Sequence, residues 1–168
     1  MMSNFWHLIR AFSLILKRHA LVFIVLTLGI ALFVSRYQFA INLTESLSGS
    51  VFLIDKSDRS AIKGELVAFK WENAPPIPDG VTVIKRVAGV AGDSVNVKNR
   101  HVFINESFVG RAKEASRTGE SLEAIDDCVI GQNYFFAAGD HPDSFDSRYE
   151  HPGLISTDAI KGRAFLLW

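Results

Sequence analysis

Residues Ala20 to Val34 read ALVFIVLTLGIALFV, with no charge anywhere in the run. A helix this apolar on every side needs either a protein interior around it or lipid. No other part of the 168 residues is apolar enough to enclose it, so a membrane segment is the expected use. Spanning a bilayer takes about 20 residues. Extension to residues 19–39 supplies the length, with Arg36 snorkelling and Tyr37 and Phe39 suited to the far interface. A cleavable leader, which joins a basic region and a short apolar core to a small-x-small cleavage site, is the rival reading. Here the basic region is long and no small-x-small pair follows closely, which favours a retained anchor. Arg10, Lys17 and Arg18 precede the run and only Arg36 lies close behind it. The positive-inside bias therefore places residues from about 40 onward outside the cytoplasm. Asn4 to Leu16, with Arg10 and Ser13 among apolar residues, reads equally as an interfacial amphipathic helix or as a plain extension of the anchor. Three parts are expected: a cytoplasmic segment (1–18), an anchor (19–39) and an outer domain (40–168).

The outer domain reads as mostly β. Apolar runs rich in β-branched and aromatic residues lie at 50–54, 65–71, 80–90, 134–138 and 164–168, bounded by Gly, Pro, Asn and Asp. Ser94 to Val97 and His101 to Ile104 read as the arms of a hairpin across Lys98-Asn99-Arg100. After residue 42 no segment keeps a 3.6-residue apolar period. The connections Glu72 to Asp79 and Lys113 to Asp127 read as loops. The expected fold is thus a compact antiparallel β structure on one N-terminal transmembrane helix. Its 18 basic and 18 acidic residues cancel, which removes the electrostatic basis for nucleic-acid binding. The single cysteine, Cys128, can form no internal disulfide and reads as a small apolar side chain.

Chemistry has three candidate locations. Lys85 lies in VIKRV, apolar enough for a central strand. Burial there would disfavour the ammonium and leave a neutral amine able to act as a base. Strand alternation offers a plainer reading, in which either Lys85 or Arg86 faces water. Asn42 to Phe52 (NLTESLSGSVF) is a hydroxyl-rich turn that follows the apolar run closely and leads into a strand. Gly139 to Arg148 (GDHPDSFDSR) joins a Gly-Asp turn to carboxylates, hydroxyls and an arginine, and the spacing of Asp146 and Arg148 permits an ion pair. A metal set of His141, Asp143 and His151 lacks tight ligand spacing. A Ser-His-Asp triad through His101, His141 or His151 lacks a Gly-x-Ser-x-Gly elbow.

In order, these features are an apolar anchor, a Ser turn, KGELV at 63–67, IKRVAGVAGD at 84–93, and Gly-Asp followed by SFDSRY at 144–149. Together they resemble the bacterial signal peptidase I family. Within it, the short length, the turn TESLSGSVF, the ending GRAFLLW and a cap reduced to about residues 101–132 are similar to the conjugative-transfer peptidases of the TraF type. The resemblance implies a serine endopeptidase without cofactor or metal, with Ser46 as nucleophile and Lys85 as general base. It implies that Thr44 assists the oxyanion and that Ser144 orients the lysine. Asp146 and Arg148 match a structural ion pair, and Gly89, Gly92 and Asp93 the turn after the lysine strand. It further implies a periplasmic catalytic domain on the cytoplasmic membrane. The partner would be a precursor with small residues before the cut, a propilin first and secretory preproteins second. A non-catalytic scaffold of a secretion complex is the alternative outside enzymology. Ser48 stands where that subgroup carries proline and Glu45 precedes Ser46, so Ser48 and Ser50 are rival hydroxyls. Glu150 to Pro152 lengthens the loop after Tyr149.

Overall fold

The computed structural model describes the chain apart from residues 1–5, 7–9, 11, 16, 43–45, 73 and 76. Two units follow one another along the chain, Met1–Tyr37 and Gln38–Trp168.

The first unit holds α1 (Ala20–Arg36), 17 residues without an acidic first turn or a side-chain cap. At about 1.5 Å per residue it is about 25 Å long. None of its side chains is buried. Among the described residues no helix is both long and apolar enough to cross a membrane. The helix also stops short of the expected limit at residue 39, because Tyr37–Ile41 is strand β1. Tyr37 and Phe39 are therefore strand residues rather than the end of an extended helix. Both roles draw on the same residue types, and pairing with a neighbouring strand separates them. The Asn4–Leu16 expectation lies partly outside the described residues.

The second unit carries the remaining strands: β2 (Val51–Asp55), β3 (Leu66–Lys70), β4 (Thr82–Gly89), β5 (Ser94–Lys98), β6 (His101–Ile104), β7 (Ser107–Arg111), β8 (Cys128–Val129), β9 (Tyr134–Ala138), β10 (Ile155–Ser156) and β11 (Ile160–Leu166). They form a seven-stranded sheet in the order β1-β2-β11-β3-β4-β9-β10 and a four-stranded sheet in the order β7-β6-β5-β8. The registered pairs of both sheets are antiparallel, as expected from the sequence. The hairpin between β5 and β6 pairs Lys98 with His101 across Asn99-Arg100, both at positive φ (50° and 64°), which gives the primed turn that suits the strand twist. Residues 101–132, the expected reduced cap, hold three strands. Their strands β6, β7 and β8 join β5 in the smaller sheet.

Strand β9 explains why the two sheets pack together. Its sequence YFFAA has no polar face, and Phe135 to Ala138 are all buried. Phe135 and Ala137 enter a core with Val67, Phe69, Trp71, Val87 and Ile160. Phe136 and Ala138 enter a second core with Val95, Val102, Ile104 and Ile130. A strand apolar on both faces must be covered on both. Each fully buried phenylalanine is worth about 1.5–3 kcal/mol of apolar transfer. Phe69 and Phe135 meet edge to face at 5.6 Å.

Candidate active site

Strand β4 places the lysine. Lys85 pairs directly with Val67 and stands two residues before Val87, so its side chain leaves the sheet on the face that carries the first core. Alternation turns Arg86 the other way, to the surface, where it pairs with Asp140 at 3.2 Å. Lys85 is 4% exposed. Its Nζ donates to Ser144 Oγ at 2.7 Å, and Ser144 is equally buried.

Burial pulls the Lys85 pKa down from 10.5 to about 8. The Asp146 carboxylate opposes that shift, the Arg148 guanidinium adds to it, and Asp140 opposes it more weakly. The tertiary arrangement limits the opposition, because Asp146 is committed to Arg148. Arg148 Nε and Nη2 donate to its two carboxylate oxygens at 2.8 and 2.9 Å, with both side chains out of solvent. Among the described residues Lys85 thus lacks a carboxylate of its own and stays near the pH at which a lysine can lose its proton. Asp146 and Arg148 meet in a turn rather than along a strand face: Arg148 N donates to Asp146 Oδ1. The remaining guanidinium bonds go to the carbonyls of His141, Pro142 and Ser144, which shapes the loop that presents Ser144.

Ser46, Lys85 and Ser144 line one cavity of about 890 Å³, walled by Ile41, Val81, Val83, Ile84 and Phe145. Of the three rival hydroxyls, Ser46 lines this cavity and Ser48 and Ser50 do not. Ser48 Oγ reaches toward Asp140 at 3.5 Å, and Ser50 lies against the C-terminal strand through its N–H to Trp168 O. Thr44 lies outside the described residues. Lys63 and Lys70 sit at the surface, paired with Asp93 and Glu72. Gly89, Gly92 and Asp93 shape the turn after β4 and do not line the cavity. Gly92 has φ +88°, and the Asp93 carboxylate accepts from Lys63, Val90 N and Asn105.

His141 does line the cavity, but its Nδ1 accepts from Asp143 N at 3.0 Å. A triad histidine instead donates from Nδ1 to a carboxylate. The Asp143 carboxylate is turned away, toward Lys113 and Arg117. Among the described residues no group of three or more His, Cys, Asp or Glu side chains could hold a metal ion.

Two residues near the site had no role in the sequence reading. Asn42 braces the turn that follows Ser46, and Gly139 lets that turn approach Ser144. A Cβ on Gly139 would overlap Ser144 Oγ and stand 2.6 Å from both Ser144 Cβ and the Ser46 carbonyl oxygen. Neither of the last two atoms can swing aside by a rotamer change. Gly139→Ala is expected to push the Ser46 turn from Ser144 and to lower cleavage about 100-fold, the scale of a 1 Å misplacement. Overpacking should cost about 1–3 kcal/mol and leave the domain folded. Turnover and thermal melting of the same sample check this, and wild-type turnover would show that the approach is not needed.

Residues 12–168 match the family model described as signal peptidase, peptidase S26. The chain belongs to the S26 signal peptidase family. Its members are serine endopeptidases that process precursor proteins, and this signal peptidase chain has the mostly antiparallel β structure expected of them. Among solved structures it is similar to the crystal structure of a signal peptidase I from Enterococcus faecalis V583. The two are 22% identical, with 63% of this chain and 97% of that one covered and a TM-score of 0.42. No curated protein matches it.

Proposed function

We propose that this signal peptidase cleaves through a Ser46–Lys85 dyad. The observation that carries the proposal is Lys85 itself: a buried amine on Ser144, held near a pKa of about 8, in the cavity that Ser46 also lines. Neutral Lys85 takes the proton from Ser46 Oγ as that oxygen attacks the scissile carbonyl. The Ser46 N–H and the Thr44 hydroxyl receive the oxyanion, each such donor being worth about 3 kcal/mol of barrier. The protonated lysine then supplies the proton to the leaving amine, and an acyl-enzyme remains. Water resolves it to an acid, or the substrate's own amine resolves it to a cyclic product.

The substrate is an extended segment of an exported precursor, with small residues before the cut, that adds as a strand beside the site. A conjugative propilin is the leading candidate, on the likeness of TESLSGSVF and GRAFLLW to the TraF-type enzymes. The same proposal places the chain in the cytoplasmic membrane as a single-pass protein, with residues from about 40 on the periplasmic side. Its support is the uncharged run at 20–34, the exposure of the apolar side chains from Leu21 to Val34 and the basic residues before the run. Because α1 has 17 residues, a crossing requires the segment before it to contribute.

The test is mass spectrometry of a propilin and of a secretory preprotein, each incubated with wild type and with Ser46→Ala. Wild type should release a defined fragment from the propilin, linear or short of one water if cyclic, and Ser46→Ala should release none. Cleavage of the preprotein alone would move the substrate assignment. Undiminished cleavage by Ser46→Ala would remove Ser46 as nucleophile.

A further inference from the structure

The turn that carries Ser46 is held from outside itself. Its Leu47 side chain is buried, and His141 N donates to the Ser46 carbonyl at 3.3 Å. On the other side stands Asn42, at the end of β1. The Asn42 side-chain nitrogen donates to Leu47 O and to Gly49 O, each at 3.1 Å. The Asn42 backbone N–H closes the base of the turn on Ser50 O at 2.8 Å. One carboxamide therefore spends both of its hydrogens on two carbonyls of the segment that follows Ser46, a pairing that needs a planar NH₂ group. Gly49, at φ +101°, has no room to adjust: a Cβ there would collide with Leu166 and come within 3.1 Å of Trp168 O. The turn is thus clamped between Asn42, the C-terminal strand and His141.

We propose that Asn42 is a positioning residue for the nucleophile, which fixes the backbone that aims both Ser46 Oγ and the Ser46 N–H. The inference rests on Ser46 acting as nucleophile. Both groups belong to one residue, whose own carbonyl is held by His141 N and whose following carbonyls, of Leu47 and Gly49, are held by Asn42. Asn42 lines the same cavity, but both of its side-chain hydrogens are committed to Leu47 O and Gly49 O. Its loss should leave substrate binding and lysine titration alone and slow the chemical step.

The informative variant is Asn42→Asp, which keeps shape but directs carboxylate oxygens at two carbonyl oxygens. Its expected behaviour is a kcat about 100-fold lower, on the scale of a 1 Å misplacement. KM should stay within about twofold, and in the neutral Asn42→Ser variant, which adds no charge to the cavity of Lys85, the rise of rate with pH should not move. Melting should stay within a few degrees of wild type. A folded Asn42→Asp enzyme with wild-type kcat overturns the inference. So does a loss of rate that only tracks the unfolded fraction. If the aspartate variant does not fold, Asn42→Ser takes its place, being neutral, small and able to donate a single hydrogen. A tenfold or larger loss of kcat in the folded serine variant supports positioning, and unchanged kcat overturns it. Ser46→Ala measured alongside separates the two levels. An active Ser46→Ala enzyme sinks the nucleophile assignment itself, whereas an inactive one beside a fully active Asn42→Asp sinks only the role of Asn42.

Discussion

Lys85→Arg is expected to cleave about 1,000-fold more slowly than wild type, the range of a lost general base. Arginine keeps the positive charge and much of the shape but stays protonated at any accessible pH, so it cannot take the Ser46 proton. In wild type the rate should rise with pH through about 8 as Lys85 loses its proton, and the arginine variant should show no such rise. A cleavage assay from pH 6 to 10 measures both, with protease resistance of the outer domain reporting folding. Substantial cleavage by the folded arginine variant would remove Lys85 as the base. Should arginine prove too bulky, Lys85→Met fits the same apolar wall without a charge. It should be equally inactive and more stable near neutral pH. The sign follows from the lowered pKa. Between about 8 and 10.5 the unfolded chain holds a proton that the folded wild type has released, so wild-type stability rises with pH across that window. Below it the buried ammonium carries its full cost, on the order of 3 kcal/mol. The advantage of methionine should therefore be complete below about pH 8 and shrink toward pH 10.5.

Asp146→Ala should be the most destabilising single change at the site. It removes the carboxylate that accepts from Arg148 and from Gly139 N, while Arg148, 2% exposed, stays buried. Breaking a buried pair from one side costs about 3–5 kcal/mol, because an uncompensated charge remains. For a domain of this size the melting temperature should fall by roughly 12–20 °C, at about 4 °C per kcal/mol. Cleavage should fall as well, since Arg148 also holds the carbonyls of His141 and Ser144. By contrast, Arg111→Ala removes an exposed pair with Glu114 and should change stability by less than about 1 kcal/mol. Calorimetry of the two variants makes the comparison. Equal melting temperatures would mean that the buried pair is not what holds this loop.

Some of this was legible from residue order alone. The apolar run at 20–34, the strands at 94–97, 101–104 and 134–138 and the hairpin across Lys98-Asn99-Arg100 follow from periodicity and turn chemistry, which act over a few neighbouring residues. The ordered motifs around Lys85 and SFDSRY carried the family, which the match over residues 12–168 bears out. Other features depended on partners distant in sequence. Strand β1 resembles the end of a membrane segment until β2 pairs with it, and β10 is two residues long and exists only beside β9. Which of Lys85 and Arg86 faces inward could not be read from alternation, because a one-residue change of register exchanges them. The pairing of Val67 with Lys85 decided it. Asp146 and Arg148 promised an ion pair by their spacing, but its burial comes from the turn that closes over it. The clamp of Asn42 on the Ser46 turn and the lack of room at Gly139 arise where β1, the turn and the 139–148 loop converge. A chemical group's identity is local in sequence, whereas its pKa, its aim and its neighbours belong to the space the folded chain encloses around it.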